Sequence, residues 1–289
     1  MDKVLVGGQA VIEGVMMRRE NMCSVAVRNL DGEIAVETKK VTSLREKYKV
    51  FDLPFIRGAV VLFESLIIGM KALSFSGKIL TKDEEEEMTD KDIAITTVVA
   101  FILAGAIFVV LPTQATHFMI GEDADPFWLN TVEGAIRLLL FLAYVAGISL
   151  MKDIRRVFMY HGAEHKTIYC YEKDLPLTVE NIRVQKRIHP RCGTSFLLLV
   201  AIISTVIFAF TGWPDLVTRI VSRLALLPVI AGISYEVLKL LAKSDNIIAK
   251  VLVMPGLWLQ YLTTREPTDD MLEVAAKALT EVLPKEAAA

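Results

Sequence analysis

The sequence predicts a mainly α-helical, polytopic membrane protein with about four transmembrane helices, extra interfacial or re-entrant amphipathic helices and a small N-terminal cytoplasmic β-hairpin region. Apolar residues make up 53% of the 289 positions. The mean hydropathy of +0.46 lies above that of an ordinary soluble domain. Apolar segments long enough to cross a bilayer recur after residue 93, whereas the first 50 residues alternate apolar and polar side chains, which is typical of strands.

Residues 1–50 form the predicted hairpin region. Between residues 23 and 40 the alternation is interrupted by Asp31-Gly32, a pair that favours a tight hairpin turn. A lone hairpin is marginally stable, so we expect this one to pack against residues 4–19 or against a later polar loop. The N-terminus lacks the basic and apolar regions of a cleavable signal peptide, so membrane insertion is expected to use internal segments.

Residues 51–80 are predicted to form a helix that does not cross the membrane. Charged side chains recur every seven residues along this otherwise apolar segment: Arg57, Glu64, Lys71 and Lys78. A lipid-exposed span would not carry such a stripe at mid-depth, so we expect an interfacial or re-entrant helix. Residues 81–92, which include the acidic run Asp83 to Glu87, are expected to form a solvated linker.

Residues 93–289 are predicted to form the membrane domain. Four segments have the length and apolarity of spans: Ile93 to Leu111, Gly134 to Met151, Thr194 to Trp213 and Leu224 to Ala242. The first connection, residues 112–133, contains neither Lys nor Arg, whereas the second, residues 152–193, contains nine. Because cationic loops stay in the cytoplasm, we expect the second loop and both termini on the cytoplasmic side of the inner membrane.

Two amphipathic helices are expected after the last span. The apolar segment of residues 247–262 is interrupted by Pro255-Gly256, which indicates a helix at the interface and not a fifth crossing. Residues 271–283 follow the helical period, and one of the two aspartates before them is the expected N-cap.

The strongest chemical motif is His161-x-x-Glu164-His165. Helical spacing puts both imidazoles on one face, where they can converge on one ion. The same pattern occurs in some zinc peptidases, in which the Glu acts on a bound water molecule. We therefore expect a divalent metal, with zinc as the first choice, held by both histidines and a third ligand, with Glu164 as the general base. The candidate third ligands are Glu172, His189 and Cys192.

Two other interpretations of these residues stay open. Both histidines could donate to backbone carbonyls while Glu164 pairs with Lys166 or Arg156 at the membrane surface. Alternatively, the thiol of Cys192, which follows Arg191 and precedes a helix start, could form a nucleophile pair with His189, because a helix N-terminus favours the thiolate.

Cys23 and Cys170 are expected to be buried small apolar residues. The three cysteines have no disulfide-like spacing, which predicts a reducing compartment without a structural disulfide.

Three further carboxylates lie in apolar surroundings: Glu13, Glu64 and Glu236. A buried carboxylate needs a partner, and at membrane depth it is a functional candidate. The expected partners are Arg57 or Lys71 for Glu64, and Lys239 or Arg183 for Glu236.

The sequence thus predicts a metal-dependent hydrolase of zinc type in the cytoplasmic membrane, with its site facing the cytoplasm. The alternative is a non-catalytic membrane factor that docks on a protein-translocation or envelope-assembly machine, with a structural His/Cys cluster. A transporter is a weaker third interpretation, since four spans without an internal repeat form only a small bundle. The expected partners are membrane lipids and a membrane protein. No segment of this chain, whose net charge is −2, indicates nucleic-acid binding, and its oligomeric state is left open.

Several strings together resemble the YqhQ-like family of bacterial membrane proteins: GGQAVIEGVMMR, PFIRG with LFES, FMYHGAEHKTIYCYE, HPRCGTSF, GISYEVLKL, and PGLWLQ with TTREP. The resemblance covers about residues 4 to 283. It implies a polytopic cytoplasmic-membrane protein in which these motifs cluster. Members of that family have no known function and are described as predicted metal-dependent enzymes, so the resemblance implies a metal site and leaves the substrate open.

Overall fold

The computed structural model describes residues 5–81, 90–121, 124–244 and 246–284. Its N-terminal part is an antiparallel sheet in which each strand pairs with the next along the chain. The strands are β1 (Val6–Val11), β2 (Gly14–Arg19), β3 (Met22–Arg28) and β4 (Ile34–Lys40). β3 and β4 form the predicted hairpin, and Gly32 in its turn has a φ of 88°, a conformation that glycine adopts readily. The segment before the hairpin supplies the other two strands.

Helices make up most of the remaining described chain. They are α1 (Leu44–Lys47), α2 (Ile56–Leu80), α3 (Asp90–Gly105), α4 (Leu111–Ile120), α5 (Pro126–Ile148), α6 (Lys152–Glu172), α7 (Val179–Arg183), α8 (Gly193–Ala209), α9 (Leu216–Lys243), α10 (Ile247–Thr263) and α11 (Asp269–Thr280). A 3-10 turn, Lys49–Asp52, precedes α2, and a π-helical turn, Ala106–Val110, joins α3 to α4. The predicted acidic linker run, Asp83 to Glu87, lies outside the described residues.

Both faces of the sheet are apolar, and helices cover each of them. Alternate residues of a strand point to opposite faces. On one face Met17 belongs to a buried cluster with Ala163 of α6 and Leu272 of α11. On the other face Val25 belongs to a cluster with Ala72 of α2. The sheet is therefore the middle layer between α2 and the α6–α11 pair, and it fixes the position of α6.

The predicted C-terminal amphipathic helix is confirmed as α11. Its N-cap is Thr268, and Asp269 and Asp270 occupy the first turn instead. Negative side chains in a first turn interact favourably with the helix dipole, so the aspartates contribute to the helix start without capping it.

Within the residues that the structure describes, four helical segments are long and apolar enough to cross a membrane: Ile56–Leu80, Ile95–Ile120, Pro126–Ile148 and Leu216–Leu241. Their number agrees with the sequence prediction, but the set differs. The prediction assigns α2 to the interface, whereas α2 has the length and composition of a span. It also counts residues 194–213 as a span, where the structure has the 17-residue α8. At ~1.5 Å per residue α8 is about 25 Å long, slightly less than a ~30 Å hydrocarbon core.

The connection predicted between the first two spans is mostly helical. The first helical segment ends at Ile120 instead of Leu111, and the second begins at Pro126 instead of Gly134. Pro112 does not end the helix because it lies in the first turn of α4, directly after a π-helical turn, where the missing N–H costs little.

An ion network that the sequence patterns did not reveal joins α4, α5 and α9. The Glu133 carboxylate is fully buried and pairs with both Arg223 and Arg137. The hydroxyl of Thr113 donates to it at 3.1 Å, and Arg223 also donates to Asn130 at 2.9 Å. Glu133 lies in the predicted loop, and Arg223 lies one residue before the predicted fourth span. The sequence patterns therefore did not indicate that either residue is a buried charge.

Glu236 has a different partner from those expected. Arg57 donates to its two carboxylate oxygens at 2.6 and 2.5 Å. Lys239 contributes only a minor attraction, and Arg183 pairs with Asp269. The Arg57–Glu236 pair therefore joins the start of α2 to α9.

Glu64 and Glu13 also form local structural contacts. Glu64 accepts hydrogen bonds from the Ser43 hydroxyl at 3.0 Å and the Leu44 amide at 2.7 Å, and the predicted Arg57 or Lys71 does not take that place. Glu13 accepts two hydrogen bonds of 2.5 Å from Arg156 of α6. These contacts attach the sheet region to α2 and α6.

Candidate metal centre

The predicted motif lies on α6, in the half of that helix that is buried. His161, Glu164 and His165 share one face, as their spacing predicts. Beside them, a β-carbon on Gly162 would collide with the backbone carbonyl of Arg265. Glycine at this position therefore lets the segment after α10 approach α6 closely. This approach brings the carbonyl of Thr263 to the imidazole of His161.

The orientation of both imidazoles is fixed by backbone carbonyls. Nδ1 of His161 lies 2.8 Å from the carbonyl oxygen of Thr263, and Nδ1 of His165 lies 2.5 Å from that of Arg187. A carbonyl only accepts, so Nδ1 carries the proton in each ring and Nε2 keeps its lone pair. A carbonyl partner on the second ring nitrogen is typical of metal-binding histidines. Burial also lowers the pKa of His165, which favours the neutral ligand form.

Cys192, the N-cap residue of α8, supplies the third group. Its Sγ lies 3.2 Å from Nε2 of His161, and the ligand atoms of His161, His165 and Cys192 all lie within 4.8 Å of one another. Tetrahedral zinc with Zn–N near 2.0–2.1 Å and Zn–S near 2.3 Å places N and S about 3.6 Å apart. The two histidines and the cysteine thus fit a three-ligand site with one open position.

Glu164 lies next to this group without binding it directly. Its Oε2 is 3.8 Å from Nε2 of His161 and 3.6 Å from Nε2 of His165, and has no hydrogen-bond partner in the described part of the chain. Burial raises the pKa of this carboxyl group, an effect that the neighbouring His161 opposes. A raised pKa makes a carboxylate a better proton acceptor, as a general base requires.

A network of hydrogen bonds alone does not satisfy these groups. Two Nε2 lone pairs, one sulfur and one carboxylate oxygen converge, but the thiol of Cys192 can donate only one proton. The Glu164–imidazole distances are too long for hydrogen bonds. Unsatisfied buried acceptors are costly, and a bound cation would satisfy both imidazole nitrogens and the sulfur, with Glu164 beside it.

The surroundings of Glu164 differ from those that the hydrogen-bond interpretation expects. Both histidines do donate to carbonyls, as the hydrogen-bond interpretation expects, but the expected partners of Glu164 are engaged elsewhere. Lys166 pairs with Glu266, and Arg156 pairs with Glu13. Glu164 is therefore left facing the imidazoles.

The other two predicted ligand candidates form a separate pair beside the group. His189 Nε2 lies 3.4 Å from Glu172, and Nδ1 of His189 accepts from the amide of Arg191 at 3.3 Å. Arg191 also pairs with Glu172. Both nitrogens of His189 are thus engaged, and the imidazole nearest the Cys192 thiol is that of His161, so the structure does not bring together a Cys192–His189 pair.

Residues that sequence reasoning missed hold the loop before α8 in place. Gln260 of α10 is fully buried and binds the backbone of His189 at both its amide and its carbonyl, each at 2.8 Å. Arg187, whose carbonyl orients His165, donates to the carbonyl of Thr264 at 2.6 Å. The sequence signals for them are weak: Gln260 ends the string PGLWLQ, and Arg187 is one of the nine cationic residues of the loop 152–193.

A cavity of about 90 Å³ lies between β1, α6 and the start of α8. A water molecule in the liquid takes ~30 Å³, so the cavity has room for an ion and a small group. Glu13, Arg57, Glu64 and Glu236 do not line it, whereas Arg191 does.

Gly8 of β1 packs directly against the side chain of Glu164. Its backbone amide donates to the Glu164 carboxylate. A β-carbon on Gly8 would lie 2.6 Å from the carbonyl oxygen of Met16 and 2.9 Å from Cγ of Glu164. Gly8 is therefore needed for the close contact between the sheet and the predicted base.

Gly8→Ala is expected to displace Glu164 and to destabilise the protein by about 1–3 kcal/mol, the usual cost of overpacking. Gly7→Ala is the matched control, since a β-carbon on Gly7 meets no atom within 4 Å. The measurement is the thermal unfolding midpoint in mild detergent. Equal midpoints for both variants would contradict the assigned role of Gly8.

Comparisons with known proteins extend over most of the chain. Residues 53–285 match the family described as "Protein of unknown function (DUF1385)". The chain is 38% identical over 299 aligned residues to the Bacillus subtilis (strain 168) protein called "Uncharacterized protein YqhQ", with 97% of this chain and 93% of that protein covered. No solved structure matches.

Proposed function

The chain belongs to the family described as a protein of unknown function (DUF1385), and from the site alone we propose that it is a metal-dependent hydrolase of the cytoplasmic membrane. The observation that carries the proposal is the convergence of two oriented imidazoles and one thiol next to a buried carboxylate oxygen without a hydrogen bond in the described chain. Three protein ligands and an open position are typical of catalytic zinc sites, whereas structural sites are closed by four.

Each residue of the group has a separate task. His161, His165 and Cys192 hold the ion, and the carbonyls of Thr263 and Arg187 hold the rings. A divalent ion bound there would polarise a water molecule and the substrate carbonyl. Glu164 takes a proton from the water and passes it to the leaving group.

Elemental analysis of the full-length protein purified without chelators tests the proposal. We expect about one zinc-type ion per chain, which a three-ligand site retains through purification. Glu164→Gln should keep the ion, because Glu164 is not a ligand. A wild-type protein without stoichiometric metal would overturn the proposal and would favour the docking-factor alternative with a structural cluster.

The contacts of the sheet also support a topology. A sheet with open edges does not lie in lipid, and this sheet packs against α2, α6 and α11. These four elements therefore share one side of the membrane. The chain must therefore cross the membrane an even number of times between the sheet and α6, and again between α6 and α11. The first condition is met if the α3–α4 segment and α5 cross while α2 does not. The second is met if α8 and α9 cross while α10 does not.

Cysteine labelling of intact cells checks this topology. A membrane-impermeant maleimide is expected to label Ala124→Cys, between α4 and α5, and to leave Asp31→Cys and Thr81→Cys unlabelled until the cells are lysed. The three native cysteines are buried, so background labelling should be low. If Thr81→Cys and Asp31→Cys are labelled from opposite sides, α2 crosses the membrane.

A further inference from the structure

The outer edge of β1 borders the candidate metal centre. The strand order β1-β2-β3-β4 leaves this edge without a strand partner in the described residues. Val6, Gly7 and Gly8 line the same cavity as His161 and Glu164. An unpaired strand edge is a template on which a second extended chain can pair.

Backbone amides on this edge point away from β2, which is the direction that pairing with a second chain needs. The amide of Gly8 donates to Glu164 and therefore points away from β2. Peptide groups alternate in direction along an antiparallel strand, so the amide of Val6 points outward as well. Gly7 is exposed and has open space around its Cα, so another backbone can approach closely.

The start of α8 forms another part of the cavity wall. Arg191, Cys192 and Gly193 line it, and the N-terminus of a helix carries the positive end of its dipole. A chain lying along β1 would thus pass between an edge strand and a helix N-terminus. Positive potential at that place stabilises the negative charge that develops on a carbonyl oxygen during hydrolysis.

We propose that the substrate of this site is a polypeptide in extended conformation, which pairs with the outer edge of β1 at the amide of Val6. This inference rests on the proposed hydrolase function and names its substrate class. The oxygen of water forms a bond to the peptide carbon and the C–N bond breaks. Glu164 carries one proton of that water to the departing nitrogen, which leaves a carboxylic acid and an amine.

The apolar cavities of the protein do not favour a lipid ester at this site. An apolar cavity of about 640 Å³ lies between α2 and α3 and is lined by Met70, Leu73 and Phe101. It shares no lining residue with the metal cavity. The metal cavity is narrow and bounded by peptide groups and imidazoles. It therefore accommodates a peptide group better than an acyl chain.

Binding of randomised peptides tests the proposal independently of turnover. The probe is a pool of fluorescein-labelled octapeptides, randomised at every position, added to full-length metal-loaded Glu164→Gln protein in lipid nanodiscs. We expect the protein to retain part of the pool and the wild type to cleave it, which mass spectrometry detects as new amino termini. A pool with N-methyl groups on alternate amides should bind at least about fivefold more weakly, since it lacks the hydrogen bonds of strand pairing.

A pair of variants at Val6 provides the matched control. Val6→Ala and Val6→Pro both remove the valine side chain, but only the proline variant removes the outward N–H group. Edge strands tolerate proline where the N–H points away from the neighbouring strand. In the Glu164→Gln background we expect about fivefold weaker binding for the proline variant than for the alanine variant, with equal metal content. Equal binding of both pools and of both variants would overturn the substrate assignment. Bound metal without any retained peptide would overturn this inference alone, whereas absence of metal would overturn the proposed function as well.

Discussion

His165→Ala is expected to lower the metal affinity of the purified protein by more than about 100-fold, since loss of an outer-shell partner alone costs 10- to 100-fold. His165 is 2% exposed and its Nε2 faces the thiol of Cys192. Alanine leaves two ligands, which do not hold an ion through purification. The measurement is metal per chain by elemental analysis, together with competition by a chromogenic chelator.

Two variants make this result specific. His117→Ala removes a histidine of α4 that does not line the metal cavity, and it should leave the metal content unchanged. Cys192→Ser preserves the volume of the side chain but replaces a soft thiolate by a hydroxyl group, so it should weaken zinc binding without unfolding the protein. Equal metal in wild type, His165→Ala and Cys192→Ser would mean that the ion binds elsewhere.

The sequence predicts the helical motif of this site well, because the positions of its residues follow from the periodicity of one helix. The spacing of His161, Glu164 and His165 defines a helix face, and the structure places all three on that face. The choice of the third group needs tertiary information. Glu172 is the last residue of the same helix, whereas His189 and Cys192 come later, just before α8. The loop held by Gln260 decides which of these two meets the imidazoles.

The role of β1 could not be read from its pattern. Gly7-Gly8 interrupts the apolar alternation of the first residues, and glycine in a strand weakens it. The close approach of Glu164 under Gly8 arises only after α6 packs on the sheet. The same limit applies to the candidate membrane-spanning helices. Apolar length identifies candidate spans, but whether α2 lies against the sheet or in lipid depends on long-range packing such as the buried cluster that Ala72 shares with Val25.

Glu133→Gln is expected to destabilise the protein by about 3–5 kcal/mol, the usual cost of removing one partner from a buried ion pair. Arg223 and Arg137 have only 7% and 15% of their side chains exposed. Without the carboxylate, two guanidinium groups remain buried with like charge. At ~2–4 °C per kcal/mol for a chain of this size, the midpoint of thermal unfolding should fall by roughly 10 °C.

An exposed pair on the same protein gives the contrast that isolates burial as the cause. Arg156, the partner of Glu13, has 50% of its side chain exposed, so Glu13→Gln should cost less than about 1 kcal/mol. The double variant Glu133→Gln/Arg223→Met should recover part of the loss, because it removes one of the two unpaired charges. Metal content per folded chain should stay unchanged in all three variants, since the Glu133 network joins α4, α5 and α9 and no member of it lines the metal cavity. A Glu133→Gln protein that is as stable as Glu13→Gln would mean that water reaches the network and that its charges are not effectively buried.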